Sequence, residues 1–178
     1  MGLTVRRRPA FFEPRAEASL ILDEIVQRLK QSEGWRSHVY IDTTGNLTIG
    51  YGLNLGKLVL PDGVRFQDVR IAVVNGIPQD LAEQLLVDEL TRTIAELRQL
   101  APWIDGLDET RQQVLADMSF NMGVPKLVNG WPNFLGNVKA GRFSAAAAIM
   151  RSSKWATQVK GRAVRLAEMM ETGQRGEA

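Results

Sequence analysis

Glu33-Gly34-Trp35-Arg36-Ser37-His38-Val39-Tyr40-Ile41-Asp42-Thr43-Thr44-Gly45-Asn46-Leu47-Thr48-Ile49-Gly50-Tyr51-Gly52 is the stretch on which the fold turns. Upstream of it, residues 17–30 place Leu22, Ile25, Val26 and Leu29 at helical spacing, so a helix with one apolar stripe leads in. Then the period changes. Val39-Tyr40-Ile41 and Leu47-Thr48-Ile49 are β-branched and aromatic runs on either side of Thr43-Thr44-Gly45-Asn46, which predicts a hairpin. Gly50 and Gly52 flank Tyr51 and point to a bend or a close backbone approach. A carboxyl at a helix end and residues on a hairpin folded back toward it can share one pocket.

Glu33 stands at the helix end, Asp42 at the approach to the turn and Thr48 on the returning strand. Glycoside hydrolysis asks for two carboxyl groups in unlike surroundings: one stays protonated against apolar walls, and the other stays ionised in a polar turn. Glu33 among Leu29, Trp35 and Tyr51 suits the first role, Asp42 beside Thr43, Thr44 and Asn46 suits the second, and the Thr48 hydroxyl suits the holding of a water. Spacing alone leaves other readings open. A chain with 20 acidic residues contains many pairs, a Glu at a helix end is commonly a surface charge, Asp42 suits an Asx turn, and Thr48 is a good strand former.

Composition narrows the field. A length of 178 residues with 44% apolar and 24% charged residues describes one cored globular domain or two lobes sharing a core. The absence of cysteine removes thiolate nucleophiles and thiolate metal ligands. His38 is the only histidine, against the two or three that zinc hydrolases use, which argues against that class and leaves a structural or surface role for His38. The formal charge of +2 is uneven: Lys139, Arg142, Arg151, Lys154, Lys160, Arg162 and Arg165 follow one another without an intervening acid, a field that attracts polyanions if it is more than a solvated face.

The remaining chain reads as mostly helical. Leu81, Leu85, Leu86, Leu90, Ile94 and Leu97 keep helical spacing from Pro78 to Pro102, long enough to tie two lobes together. Asp108 is a fair N-cap for the next helix, with Val114, Leu115, Met118 and Met122 on its buried face and Gly123 after its end. Shorter helices are expected around 133–140, 144–150 and 160–172, the last closed by Gly173. Residues 53–76 are mixed, with room for a short strand and a helix. The predicted fold class is α+β, mostly α. It has a basic N-terminal arm (1–16) and one domain over 17–173. In that domain a small hairpin lobe (about 31–77), a connecting helix (about 79–100) and a helical lobe (about 101–173, with the first helix) enclose a cleft, and a tail (174–178) follows.

Glu33-Gly34, Tyr40-x-Asp42, Gly45 and Thr48-Ile49-Gly50-Tyr51-Gly52 closely resemble the signature of the phage-type lysozymes, a muramidase family. The resemblance runs from about residue 21 to 173. It takes in Asp117-Met118-Ser119-Phe120-Asn121-Met122-Gly123, similar to the family's buried helix with its cleft-facing aromatic. It also takes in Ser153-Lys154-Trp155, Arg162-Ala163-x-Arg165 and Thr172-Gly173, similar to the family's C-terminal helices. It implies a lysozyme-like fold and cleavage of the β-1,4 bond between N-acetylmuramic acid and N-acetylglucosamine in peptidoglycan, without a metal or other cofactor. By that likeness Glu33 is the general acid, Asp42 the general base on a water, and Thr48 the residue orienting that water, with inversion at the anomeric carbon. It implies substrate contacts at Phe120 and Asn54. Arg162 matches a family arginine that pairs with the catalytic Glu from the far lobe, where a lobe-bridging brace is as natural a role as a catalytic one. Where many members follow Gly-Tyr-Gly with His, this chain has Leu53 and then Asn54.

Two other functions compete. A lytic transglycosylase needs one Glu and no base, so Asp42 and Thr48 argue against it. A non-catalytic protein binding anionic polymers would use the basic C-terminal half, yet no nucleic-acid reader motif is present. With no signal-peptide pattern and no apolar run of membrane-spanning length, the expectation is a monomeric endolysin that accumulates in the host bacterial cytoplasm and reaches the wall through a membrane-disrupting holin.

Overall fold

A computed structural model describes residues 16–42, 45–58, 60, 63 and 65–175; the sequence-predicted arm up to residue 15, Thr43, Thr44, the last three residues, and the side chains of 16–21, Ser32, Glu33 and Phe66 lie outside the described set. Helix α1 (Ala16–Glu33) runs three residues past the predicted end. Gly34, at φ 67°, terminates it while its N–H still donates to the Lys30 carbonyl at 3.2 Å, the left-handed ending that glycine adopts without strain.

The hairpin is as expected, with a third strand added. Strands β1 (Arg36–Ile41), β2 (Leu47–Gly50) and β3 (Leu53–Asn54) form one antiparallel sheet in the order β1-β2-β3. Thr48 stands opposite Tyr40 on one side and Asn54 on the other, while Ile49 stands opposite Leu53. Side chains alternate along a strand, so the register divides the sheet cleanly. Ile49 and Leu53 face the core, and Tyr40, Thr48 and Asn54 share the opposite face.

Helix α2 (Phe66–Asn75) fills the second part of the mixed region, and α3 (Gln79–Leu100) follows Pro78. At 22 residues α3 is about 33 Å long. A 3-10 turn over Pro102–Gly106 leads to α4 (Glu109–Met122), whose N-cap Asp108 accepts the Arg111 N–H at 3.0 Å and whose end is Gly123 at φ 92°. Five helices complete the described chain: α5 (Val124–Gly130), α6 (Pro132–Lys139), α7 (Phe143–Ser152), α8 (Lys154–Val159) and α9 (Gly161–Thr172), closed by left-handed Gly173. Helix α5 was not anticipated from the sequence, and α8 was anticipated only through the resemblance of Ser153-Lys154-Trp155 to the family's C-terminal helices.

The apolar side chains sort into two cores. One gathers Ile49, Tyr51 and Leu53 of the sheet region with Ile25, Val26 and Leu29 of α1 and Leu85, Leu86 and Leu90 of α3. The other gathers α4 to α9, with Leu97 from the far end of α3. Helix α3 therefore serves both cores, as its length foretold, and α4 does the same: Ala116 belongs to the first core and Val114, Leu115 and Met118 to the second. Among the described residues no helix is long and apolar enough to cross a membrane.

Candidate active site

Asp42 follows the last residue of β1, and its carboxylate is held from one side by Asn46. The Asn46 backbone N–H donates to Oδ1 at 2.8 Å and its side-chain Nδ2 donates to Oδ2 at 3.0 Å. The backbone closes the same loop, with the Asp42 N–H donating to the Asn46 carbonyl at 2.9 Å and the Gly45 N–H to the Asp42 carbonyl at 3.1 Å. Two N–H donors of one residue thus face the carboxylate, one on each oxygen. The Asx turn that the sequence also allowed at Asp42 is present, and it fixes the carboxylate.

Thr48 is 2% exposed and donates its hydroxyl to the Asn46 carbonyl at 3.2 Å. With its proton committed there, the lone pairs of Oγ1 are left as acceptors. Asn46 therefore joins the two sequence-predicted residues, receiving from Thr48 and donating to Asp42. The sequence reading saw in Asn46 only a polar neighbour.

Glu33 is the last residue of α1, and two neighbours locate that helix end. Gln113 donates to Glu24 at 2.6 Å, and Arg28 lies within electrostatic reach of Asp117. The offset between α1 and α4 is the same in both pairs, so the helices run side by side in one direction, and the end of α1 comes level with the C-terminal turn of α4. Phe120 lies in that turn, half-buried and packed against the edge of the small-lobe core. Of the apolar neighbours expected around Glu33, Leu29 and Tyr51 are buried and Trp35 is 45% exposed.

Arg162, at the start of α9, donates through Nε to Asp117 at 2.8 Å, and both side chains are nearly buried. Asp117 was read from sequence as part of a buried helix; in the fold it is a carboxylate that ties α9 to α4. Arg28 of α1 lies close by, and its burial lowers the guanidinium pKa despite Asp117. Asn54 accepts the Gly56 N–H at 2.9 Å through Oδ1, capping a 3-10 turn over Leu55–Lys57. His38 is exposed, and its Nδ1 shares a hydrogen bond with the Ser37 hydroxyl at 2.8 Å.

A further polar cluster lies beside this site. Lys30, in the last turn of α1, donates to Glu83 of α3 at 2.6 Å, and its ammonium stands 5.7 Å from the centre of the Tyr51 ring. Tyr51 donates its hydroxyl to Glu83 at 3.4 Å, and Gln79 donates to the Tyr51 hydroxyl at 2.9 Å and to Glu83 at 3.3 Å. The hydrogen bond between Lys30 and Glu83 raises the lysine pKa and lowers that of the carboxyl. Among the described residues no group of three or more His, Asp or Glu side chains is placed to hold a metal ion.

The profile of the phage lysozyme family matches residues 30–169. The chain is 28% identical over 160 residues to the pre-baseplate central spike protein Gp5 of Enterobacteria phage T4, a match covering 84% of this chain and 28% of that protein. It is also 26% and 27% identical to two Dictyostelium discoideum proteins named probable T4-type lysozyme 2 and probable T4-type lysozyme 1, each match covering 86% of this chain and 96% of the relative. With its α+β architecture and most of its length inside the family profile, the chain belongs to the phage lysozyme family.

Proposed function

We propose that this protein is a muramidase that hydrolyses the β-1,4 bond between N-acetylmuramic acid and N-acetylglucosamine in bacterial peptidoglycan. Family membership supports a glycoside hydrolase of the lysozyme type. The observation that carries the mechanism is the Asp42–Asn46–Thr48 arrangement: an anion fixed by two N–H donors, next to a buried hydroxyl whose free capacity is as an acceptor. A water between them gives one proton to Asp42 and directs the other to Thr48 Oγ1, and its oxygen attacks the anomeric carbon. Glu33 gives its proton to the departing glycosidic oxygen from the other side of the sugar, and the configuration inverts.

Phe120 and Asn54 are assigned to the glycan. Asn54 lies in the same transverse row as Thr48, and because its Oδ1 serves a cap, its Nδ2 group is the one assigned to sugar. Arg162 is assigned as a brace across α4 and α9. A fixed base and water holder favour hydrolysis over the transglycosylase route, which needs neither. We assign the enzyme to host cell lysis as a monomeric endolysin that meets the wall after a holin opens the membrane. The likeness to a phage spike protein supports a second setting, the same chemistry carried on a virion.

The test is a turbidity assay on purified peptidoglycan with product analysis. Wild type should clear the suspension and release reducing muramic ends, while Glu33→Gln and Asp42→Asn should each lose about 100-fold or more of the rate. Anhydro-muramic ends, or full activity in both variants, would overturn the assignment.

A further inference from the structure

We infer that Glu83 is a positioning residue for the glycan-cleaving site, holding the helix that carries Glu33 at a set distance from the strand that carries Thr48. The inference rests on the reading of Glu33 and Thr48 given above. Glu33 and Thr48 belong to separate segments that share no backbone hydrogen-bond ladder: α1 ends at Glu33, and Thr48 sits inside β2. The backbone links them only through Gly34-Trp35 into β1, whose Arg36 stands opposite Gly50, so the set of the helix end against β2 also depends on side chains that join the two.

Glu83 makes that join. Lys30 is three residues before Glu33 and Tyr51 three residues after Thr48, and a single oxygen, Glu83 Oε1, receives from both, at 2.6 Å and 3.4 Å. Gln79, one helical turn earlier on α3, donates both to the Tyr51 hydroxyl and to the same Glu83 oxygen. The backbone reinforces the contact one residue away. Gly50 comes so close to α3 that a Cβ built on it would lie 3.0 Å from the Ala82 Cβ. The Gly50-Tyr51-Gly52 turn is thus seated on α3 by a glycine and latched there by a tyrosine, and α1 is latched to the same carboxylate by a lysine.

Charge decides which member matters most. Glu83 Oε1 accepts from all three donors, so its loss removes the Lys30, Tyr51 and Gln79 bonds to it together and leaves only the bond from Gln79 to the Tyr51 hydroxyl. The loss of any one donor leaves the other two in place. The hydrogen bond from Lys30 lowers the Glu83 pKa, and the carboxylate in turn raises that of Lys30, so the latch stays charged from the ordinary carboxylate range up to the ordinary lysine range. Neither residue is needed to transfer a proton; Glu83 acts through the placement of others.

The experiment compares the full-length protein with Glu83→Gln, Lys30→Met and the exchange Lys30→Glu/Glu83→Lys. Steady-state rates are measured on soluble uncrosslinked glycan strands, well below each variant's Tm. Glu83→Gln should lower kcat about tenfold, the cost of misplacing catalytic groups, with KM held within about twofold. Lys30→Met should lower kcat less, and the exchange should recover at least half of the Glu83→Gln loss. A merely structural Glu83 would lower Tm and leave kcat of the folded variant unchanged; that result overturns the inference, as does an exchange that recovers nothing. Wild type and Glu33→Gln run in the same assay. If wild type is inactive or Glu33→Gln is active, the catalytic reading itself has failed; if those controls behave as expected and Glu83→Gln keeps its kcat, only the positioning role has.

Discussion

At the scale of single residues, the proposed site leans on groups that hold Asp42 and Thr48 in place, and Asn46 is the clearest. It offers Asp42 two donors and takes the Thr48 proton, so one amide residue orients both the anion and the hydroxyl. Asn46→Ala keeps the backbone donor and removes the side-chain one. The carboxylate then gains rotational freedom, and kcat should fall about tenfold with little change in Tm, as separated by kinetics and thermal melting of one preparation. Gly50 makes the opposite trade. At φ 65° and with 3.0 Å between a built Cβ and Ala82, Gly50→Ala meets both a backbone penalty of about 1 kcal/mol and a packing penalty of about 1–3 kcal/mol. Denaturant titration should show that sum, and adding Ala82→Gly should return only the packing share. The two residues also differ in legibility. Gly50 announced a close approach in the sequence because a Gly-Tyr-Gly run has few other uses. Asn46 did not, because an Asn in a turn has many, and only the hydrogen-bond directions single out this one.

At the scale of secondary structure, legibility followed length and period. Helices α3 and α4 were visible because each repeats its apolar spacing over several turns between a start signal and a stop, Pro78 to Pro102 and Asp108 to Gly123. Helices α5 and α8 have 7 and 6 residues, too few for a period to declare itself. A subtler signal was present for α5 and α6, since Pro125 and Pro132 each stand in the first turn of a helix, where proline's missing N–H costs nothing. Helix α4 also carries what periodicity does not show. It is buried along most of its length, and its Asp117 is a fully buried carboxylate that meets Arg162 of α9. The partner lies 45 residues away in sequence, so only the fold reveals the pair. Asp117→Ala removes the carboxylate from a buried ion pair and should destabilise the protein by about 3–5 kcal/mol, whereas an exposed pair such as Arg98 with Asp105 should contribute under about 1 kcal/mol. Equal losses at the two sites, measured by chemical denaturation, would show that α9 is not held through Asp117.

At the scale of the whole molecule, two cores share α3 and α4, so the small lobe is stable only as far as those helices present the right face to it. One residue of α3 works against that arrangement. Glu89 lies between Leu86 and Leu90, both buried in the small-lobe core, and burial pushes its carboxyl pKa up. Arg92 and Lys57 pull the other way more weakly, and Asp88 adds to the rise. The sign of the consequence follows from linkage. A carboxyl whose pKa is higher in the folded than in the unfolded chain holds its proton more tightly when folded. Its effect is absent while both states are protonated and becomes a penalty as pH rises through the carboxylate range. Glu89→Gln removes that charge and keeps the shape of the side chain. The variant should therefore exceed wild type in stability at neutral pH by on the order of 1 kcal/mol, and the two should converge as pH falls below the ordinary glutamate value. Urea titrations at neutral and at acid pH check this directly. A gain of equal size at both would mean that the substitution acts through packing or helix propensity, and that Glu89 carries no burial penalty.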